Sequence, residues 1–269
     1  MMQFEHAIVS GERFDPARPK RDILLLTATL KPPAAAVARS DHQERLNDYL
    51  RALEFYLRDL DAPYDRILFV DNSMGGVGSI EAAARRTPHD KLVEIISFAG
   101  NDHPVTRGKA YGEFKLIDHG LALSSIVHGS DMIWKTTGRL RLLNIRQLRL
   151  ALPDRPLDLV CDLHNVPLVG TDRLHRNRYM DLRVFAVRRD AYDVAYRGAW
   201  ERIEGFDAFA MYDLSLQARR HLRVLPRFPR EPRLQGISGR HLRDYGAWPG
   251  RMKSAVRGGL RRALPYLWL

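Results

Sequence analysis

Between residues 22 and 138 the chain repeats one pattern. Runs of consecutive apolar residues, "DILLLTATL", "DRILFVDNS", "KLVEIISF" and "DMIWKTTG", each break into small polar residues. Between them lie "RLNDYLRALEFYLRDL", "VGSIEAAARR" and "GEFKLIDHGLALSSIV". The first of these has Leu46, Tyr49, Leu50, Leu53 and Leu57 at helical spacing. A strand that is apolar on both faces needs cover on both. Such strands alternating with helices therefore predict an α/β fold, a mainly parallel sheet flanked by helices.

Beyond residue 150 the rhythm weakens. "LDLVCDLH" and "MDLRVFAVRR" read as strands, "FDAFAMYDLSLQARRH" as a helix, and "LRVLPRFPREPRLQGISG" as a strand with a proline-punctuated loop. With 269 residues, 45% of them hydrophobic, there is material for one sizeable domain and an appendage. Residues 1–245 are assigned to the domain and 246–269 to a basic tail. The tail sequence "GRMKSAVRGGLRRALPYLWL" predicts an amphipathic helix interrupted at Gly258 and Gly259 and ending in Leu264, Tyr266, Leu267, Trp268 and Leu269.

A net charge of +11 calls for an anionic partner: nucleic acid, a phosphorylated substrate or an acidic membrane surface. Acids and bases are mixed up to about residue 135, whereas Arg240, Arg243, Arg251, Lys253, Arg257, Arg261 and Arg262 face only Asp244 near the end. No helix-turn-helix, zinc-finger or RNP-type signature accompanies this charge, which argues against nucleic acid. Its place in an apolar-ended tail favours an anionic membrane surface. The single cysteine, Cys161, excludes an intrachain disulfide and reads as a small buried hydrophobe in a reducing compartment. No run approaches the roughly 20 apolar residues of a membrane span. The start "MMQFEHAIVSGERFD" lacks a signal-peptide pattern. The expectation is a cytoplasmic protein, held peripherally on the inner face of the membrane.

In an open parallel sheet, ligands bind at the carboxyl ends of the strands. There the chain places Thr27 and Thr29, then Asp71, Asn72 and Ser73, the loop "NDHPVTRGKAYGE", and Lys135-Thr136-Thr137-Gly138-Arg139. A carboxylate at 71 can accept from a ribose or a base edge, and the Thr27 hydroxyl can hold a pyrimidine. Lys109 stands before Gly112 and Glu113 in a glycine-rich helix entry, whose free amides suit an anion. It lacks Walker A spacing. Ordinary turns and helix caps use the same residue types. Further along, Gly236, Ser238 and Gly239 form a loop able to close over a pyrophosphate. Glu201 and Glu204 are candidate general bases, and "CDLH" offers Asp162 and His164 as at most two metal ligands.

The ordered motifs TAT, DNS, GKxYGE, KxTGR and GISG resemble those of a group of bacterial capsule and lipopolysaccharide glycosyltransferase-like proteins, and residues 22–245 resemble the GT-A glycosyltransferase fold. The resemblance implies a nucleotide-sugar-binding half at 20–145, an acceptor half at 146–245, and nucleoside contact through Asp71. It also exposes a departure. Where most GT-A enzymes carry Asp-x-Asp for Mg²⁺ or Mn²⁺, this chain has Lys135-Thr136-Thr137.

A divalent metal in such enzymes offsets charge on the donor diphosphate. Fixed cations can stabilise the same developing charge, and Lys135 and Arg139, with Lys109 across the cleft, are the candidates. The leading expectation is a glycosyltransferase that needs no metal or other cofactor and moves a sugar from a nucleotide-sugar to a surface-polysaccharide or lipid-linked acceptor. Two alternatives stay open at this point: a sugar nucleotidyltransferase, and a basic nucleic-acid-binding protein.

Overall fold

The computed structural model describes residues 4–18, 21–32, 39–102, 105–107, 109–165, 178–205, 207–238, 244–245, 247–263 and 268. Strand β1 (Phe4–Ser10) precedes β2 (Asp22–Ala28). Helix α1 (His42–Arg58) then leads to β3 (Tyr64–Asp71), α2 (Val77–Arg86) to β4 (Leu92–Phe98), and α3 (Lys109–Leu123) to β5 (Met132–Thr137). The chain continues through β6 (Arg141–Leu142), α4 (Ile145–Leu150), β7 (Leu159–Val160), β8 (Leu163–Asn165), β9 (Arg178–Met180) and β10 (Val184–Arg188). It closes with α5 (Arg189–Ala195), α6 (Ala199–Arg202), α7 (Ala208–Ala218), β11 (Val224–Leu225), β12 (Leu234–Gln235) and α8 (Trp248–Ala263).

Eight strands form one mixed sheet in the order β1-β4-β3-β2-β5-β10-β7-β11. Its centre, β4-β3-β2-β5, is parallel, as the apolar runs predict. β1 is an antiparallel edge on β4, and β10 runs antiparallel to β5 and β7. After β2 the chain builds outward through β3 and β4, then crosses back to place β5 on the other side of β2. The point of reversal lies between β2 and β5, where an open α/β sheet leaves a crevice at its strand ends.

The pleat of β2 shows why both faces are covered. Leu24 and Leu26 pack in one core with Tyr49 and Leu53 of α1, while Ile23 and Leu25 pack in the other with Phe114 and Ile117 of α3. All are buried, and each is worth roughly 1.5–3 kcal/mol of apolar burial.

Several expectations change in detail. The helix expected through "SSIV" stops at Leu123. Ser124 and Ser125 turn instead to the buried Glu94 carboxylate of β4, with Ser125 donating to Oε1 from both its amide at 2.9 Å and its hydroxyl at 2.7 Å. "LDLVCDLH" splits into β7 and β8 because β8 leaves the main sheet to pair with β9. β1 was missed, since its residues are mostly exposed and show no buried run.

The tail also differs. α8 runs through Gly258 and Gly259 without a break. Arg261, expected to face lipid, is buried and binds the Asp162 carboxylate and Glu231 Oε2, because two carboxylates offer it more than a solvated surface does. Trp268, also expected at a membrane, packs edge-on against Tyr212 at 6.3 Å, and its carbonyl accepts from the Asn165 amide at 2.7 Å. Leu264, Tyr266, Leu267, Leu269, Arg240 and Arg243 lie outside the described residues, as do the side chains of Arg251, Lys253 and Arg262. Among the described residues, no helix is long and apolar enough to cross a membrane.

Candidate functional site

The ends of β2 and β5 are laced together at the reversal point. The Gly138 amide donates to the Thr27 carbonyl at 2.8 Å. A Cβ at 138 would stand 2.9 Å from that oxygen and 3.3 Å from the Tyr49 ring, so the close approach needs glycine. Thr27 Oγ1 donates to Glu113 Oε1 at 2.8 Å, and Lys135 Nζ reaches the same oxygen at 2.5 Å. Lys135 is 0% exposed. Its ammonium also donates to the Leu182 carbonyl at 2.5 Å and lies 5.7 Å from the centre of the Phe185 ring. The cation expected to face a diphosphate at Lys135 is thus neutralised beneath the edge by Glu113. Gly112, one residue earlier in α3, is buried in the same turn.

Asp71 is likewise inside the protein. It accepts from the Leu30 amide at 2.8 Å, the Ser73 hydroxyl at 2.7 Å, the Ser97 hydroxyl at 2.8 Å, and the amides of Ser73 and Gly75, both at 3.1 Å. The carboxylate expected to contact a nucleoside therefore ties the loops after β2 and β3 to β4. Asn72 accepts from Thr29 Oγ1 at 2.8 Å, and Ser73 Oγ accepts from the Lys31 amide at 2.9 Å.

Above these buried groups stand residues that solvent reaches: Thr29, Ser73, Thr137 and Arg139 are half-buried, and Lys31 is exposed. Arg139 Nε donates to the Ile237 carbonyl at 3.2 Å. The loop meets it there because Gly236 takes a left-handed φ of 129° and a Cβ would lie 3.0 Å from the Arg139 carbonyl. Ser238 is buried in the same loop. The structure thus brings Thr27, Thr29, Asn72, Ser73, Thr137, Gly138, Arg139, Gly236 and Ser238 to one edge. Gly239 and the Lys109 side chain lie outside the described residues.

Glu201 and Glu204 are exposed, and among the described residues no hydrogen bond ties them to the strand ends. Their neighbour Trp200 packs edge-on against Tyr111 of α3 at 5.1 Å and donates to Asp118 Oδ2 at 2.7 Å. Glu201 itself acts electrostatically on His119 of α3.

Sequence reasoning missed two cations. Lys31 follows the TAT turn by two residues, and that proximity was the available signal. Arg45 sits on the inward face of α1 beside Tyr49 and donates through Nε to the Thr29 carbonyl at 3.0 Å. A charge within an apolar helical stripe was its signal. Burial lowers the Arg45 pKa, and nearby Arg139 lowers it further.

Asp162 and His164 do not stand open to a metal. Arg261 occupies the Asp162 carboxylate, and the His164 ring stacks on Tyr179 at 4.4 Å. Its Nε2 lies 3.7 Å from Asp162 Oδ2 and has no hydrogen-bond partner among the described residues. Burial holds the imidazole pKa below its ordinary value.

Strand order and edge define a Rossmann-like α/β protein whose open strand ends meet between β2 and β5. No family model matches the chain. No curated protein matches it. Among solved structures it is similar to the inositol-1-phosphate CTP transferase from T. maritima, with 14% identity over 76% of this chain and 84% of that one, at a TM-score of 0.45. It is also similar to HddC from Yersinia pseudotuberculosis, with 12% identity over 88% and 99% and a TM-score of 0.35. Mouse xyloside xylosyltransferase 1 shows 14% identity over 76% and 77%, at 0.35. A nucleotidyltransferase and a xylosyltransferase both stand among these structural neighbours, and at such scores the likeness carries no argument about activity.

Proposed function

We propose that the chain is a nucleotide-sugar-dependent glycosyltransferase acting without a divalent metal on a surface-polysaccharide or lipid-linked acceptor. The observation that carries this reading is the edge between β2 and β5, where Arg139 is held over the joined strand ends by the Gly236–Ser238 loop. Breaking the bond between the anomeric carbon and the departing diphosphate leaves an oxocarbenium-like sugar and a growing negative charge on the leaving oxygen. In this reading the guanidinium held at the edge meets that oxygen and stabilises the transition state without reorganisation. In this reading Arg139 and Lys31 face the diphosphate. Thr29, Ser73 and Thr137 hold the nucleoside and sugar. Lys135, Glu113, Asp71 and Thr27 are the braces beneath. The acceptor hydroxyl attacks the anomeric carbon and its proton passes to a carboxylate, for which Glu201 and Glu204 are the candidates.

A thermal-shift panel of nucleotide sugars, with and without EDTA, tests this, because a ligand bound only by the folded state raises its apparent stability. A shift by one nucleotide sugar that survives EDTA supports the reading. A shift that EDTA removes overturns metal independence. Release of pyrophosphate from a nucleoside triphosphate and a sugar 1-phosphate would instead identify a nucleotidyltransferase.

A further inference from the structure

A cleft of about 720 Å³ lies between the paired β6 and β12, α4 and the tail helix α8. That volume falls within the roughly 300–1,000 Å³ of small-molecule sites. Its position relative to the edge is set by the chain. Gln235 in its wall precedes Gly236, and the Tyr245 amide donates to the Gly236 carbonyl at 3.0 Å. One loop thus borders the cleft on one side and holds Arg139 on the other.

The charge in the cleft is one-sided. The one carboxylate among its described lining residues, Glu231, is already bound by Arg261 through Oε2 at 2.5 Å. Arg230 and Arg233 also line the cleft, are exposed, and have no side-chain partner among the described residues. Two exposed guanidiniums beside an acid already held by Arg261 make an anion-seeking wall, and a guanidinium matches carboxylate or phosphate with two parallel hydrogen bonds. The rest of the lining suits a sugar. Gln235 offers an amide, Gly258 and Gly259 leave a stretch of helix without side chains, and Tyr245 lines the wall with the Arg183 guanidinium 4.9 Å from its ring centre.

We propose that this cleft is the acceptor subsite and that it takes a saccharide bearing an anionic group, a phosphate or a carboxylate. This rests on the glycosyltransferase reading above. It gives α8 a second role, as the wall that completes the subsite.

The test is equilibrium binding to the full chain, using glucose 6-phosphate, glucuronic acid, glucose and inorganic phosphate as probes. At least one anionic sugar is expected to bind ten-fold or more tightly than glucose and than inorganic phosphate, and which one binds distinguishes phosphate from carboxylate recognition. Arg230→Gln with Arg233→Gln is expected to weaken that sugar at least ten-fold. Gly259→Leu fills the cleft from a position where an added Cβ meets nothing within 4 Å. It is expected to abolish anionic-sugar binding while the melting temperature holds or rises and the nucleotide-sugar shift is unchanged. Undiminished sugar binding by Gly259→Leu would overturn the assignment. So would equal affinity for glucose, or for inorganic phosphate alone, or no binding of either anionic sugar. If the anionic sugar binds as described but no nucleotide sugar does, the cleft stands and the transferase reading fails. The reverse pattern leaves the transferase reading and removes the cleft.

Discussion

Lys135 and Arg139 are four residues apart and end in opposite environments. Lys135 lies on β5 with its ammonium buried against Glu113, whereas Arg139 follows the Gly138 turn and is half-buried at the edge. Removing one member of a buried pair leaves an uncompensated charge, which costs about 3–5 kcal/mol. Glu113→Ala is therefore expected to lower stability by that order in urea melts, and Glu113→Gln with Lys135→Met to recover most of it. Arg139→Ala is expected to leave the melting temperature nearly unchanged and to reduce sugar transfer by about 10²-fold, the usual effect of losing one transition-state donor. His164 gives a pH signature. Its folded pKa lies below the unfolded value because of burial, with Asp162 and Asp181 opposing and Arg257 and Arg261 reinforcing the shift. The folded state then binds fewer protons, so the stability it contributes is full above pH ~6.5 and is lost as pH falls toward the folded value. The melting temperature of the wild type is expected to drop between pH 7 and 5 more steeply than that of His164→Phe.

Elements depend on where their ends are held. α3 stops where Ser124 and Ser125 satisfy Glu94, and α8 continues through two glycines because the domain holds it. Each glycine in a helix interior costs about 1 kcal/mol relative to alanine. A Cβ at 258 would meet the Glu231 Cβ at an ordinary 3.8 Å, and one at 259 would meet nothing. Gly258→Ala with Gly259→Ala is thus expected to raise stability by up to about 2 kcal/mol in thermal melts. Arg261→Met acts in the other direction, leaving Asp162 and Glu231 without their cation. A loss of about 3–5 kcal/mol is expected.

For the molecule as a whole, the net charge is +11 and the tail helix is docked on the domain. On α8, Trp248, Met252 and Val256 recur every fourth residue and are 72%, 49% and 60% exposed. Side chains at that spacing share a helix face, and an exposed apolar stripe on a basic helix suits an anionic lipid surface. Trp268, expected from sequence at a membrane, packs on Tyr212 instead, so the membrane expectation is tested at the other end of the tail. The chain is expected to co-sediment with anionic but not neutral vesicles, less so in high salt. The triple substitution Trp248→Ser, Met252→Ser and Val256→Ser should abolish this without lowering the melting temperature, because none of the three is buried.

What the sequence determined by itself was local and periodic. Four buried runs alternating with helices required a covered, mainly parallel sheet, and their polar ends required an edge, since consecutive apolar residues can be hidden only one way. The glycine at 138 and the arginine after it were legible for the same reason. What the tertiary structure decided was which charges face outward. Asp71, Lys135, Asp162 and Arg261 are residues of ordinary type at exposed-looking positions, and apart from the Ser73 turn that caps Asp71 their partners are far away in sequence. Their partners are Ser97, Glu113, Arg261 and Glu231, at sequence separations from 22 to 99 residues. A charge's free energy depends on what surrounds it in space, and only the folded chain supplies that neighbourhood.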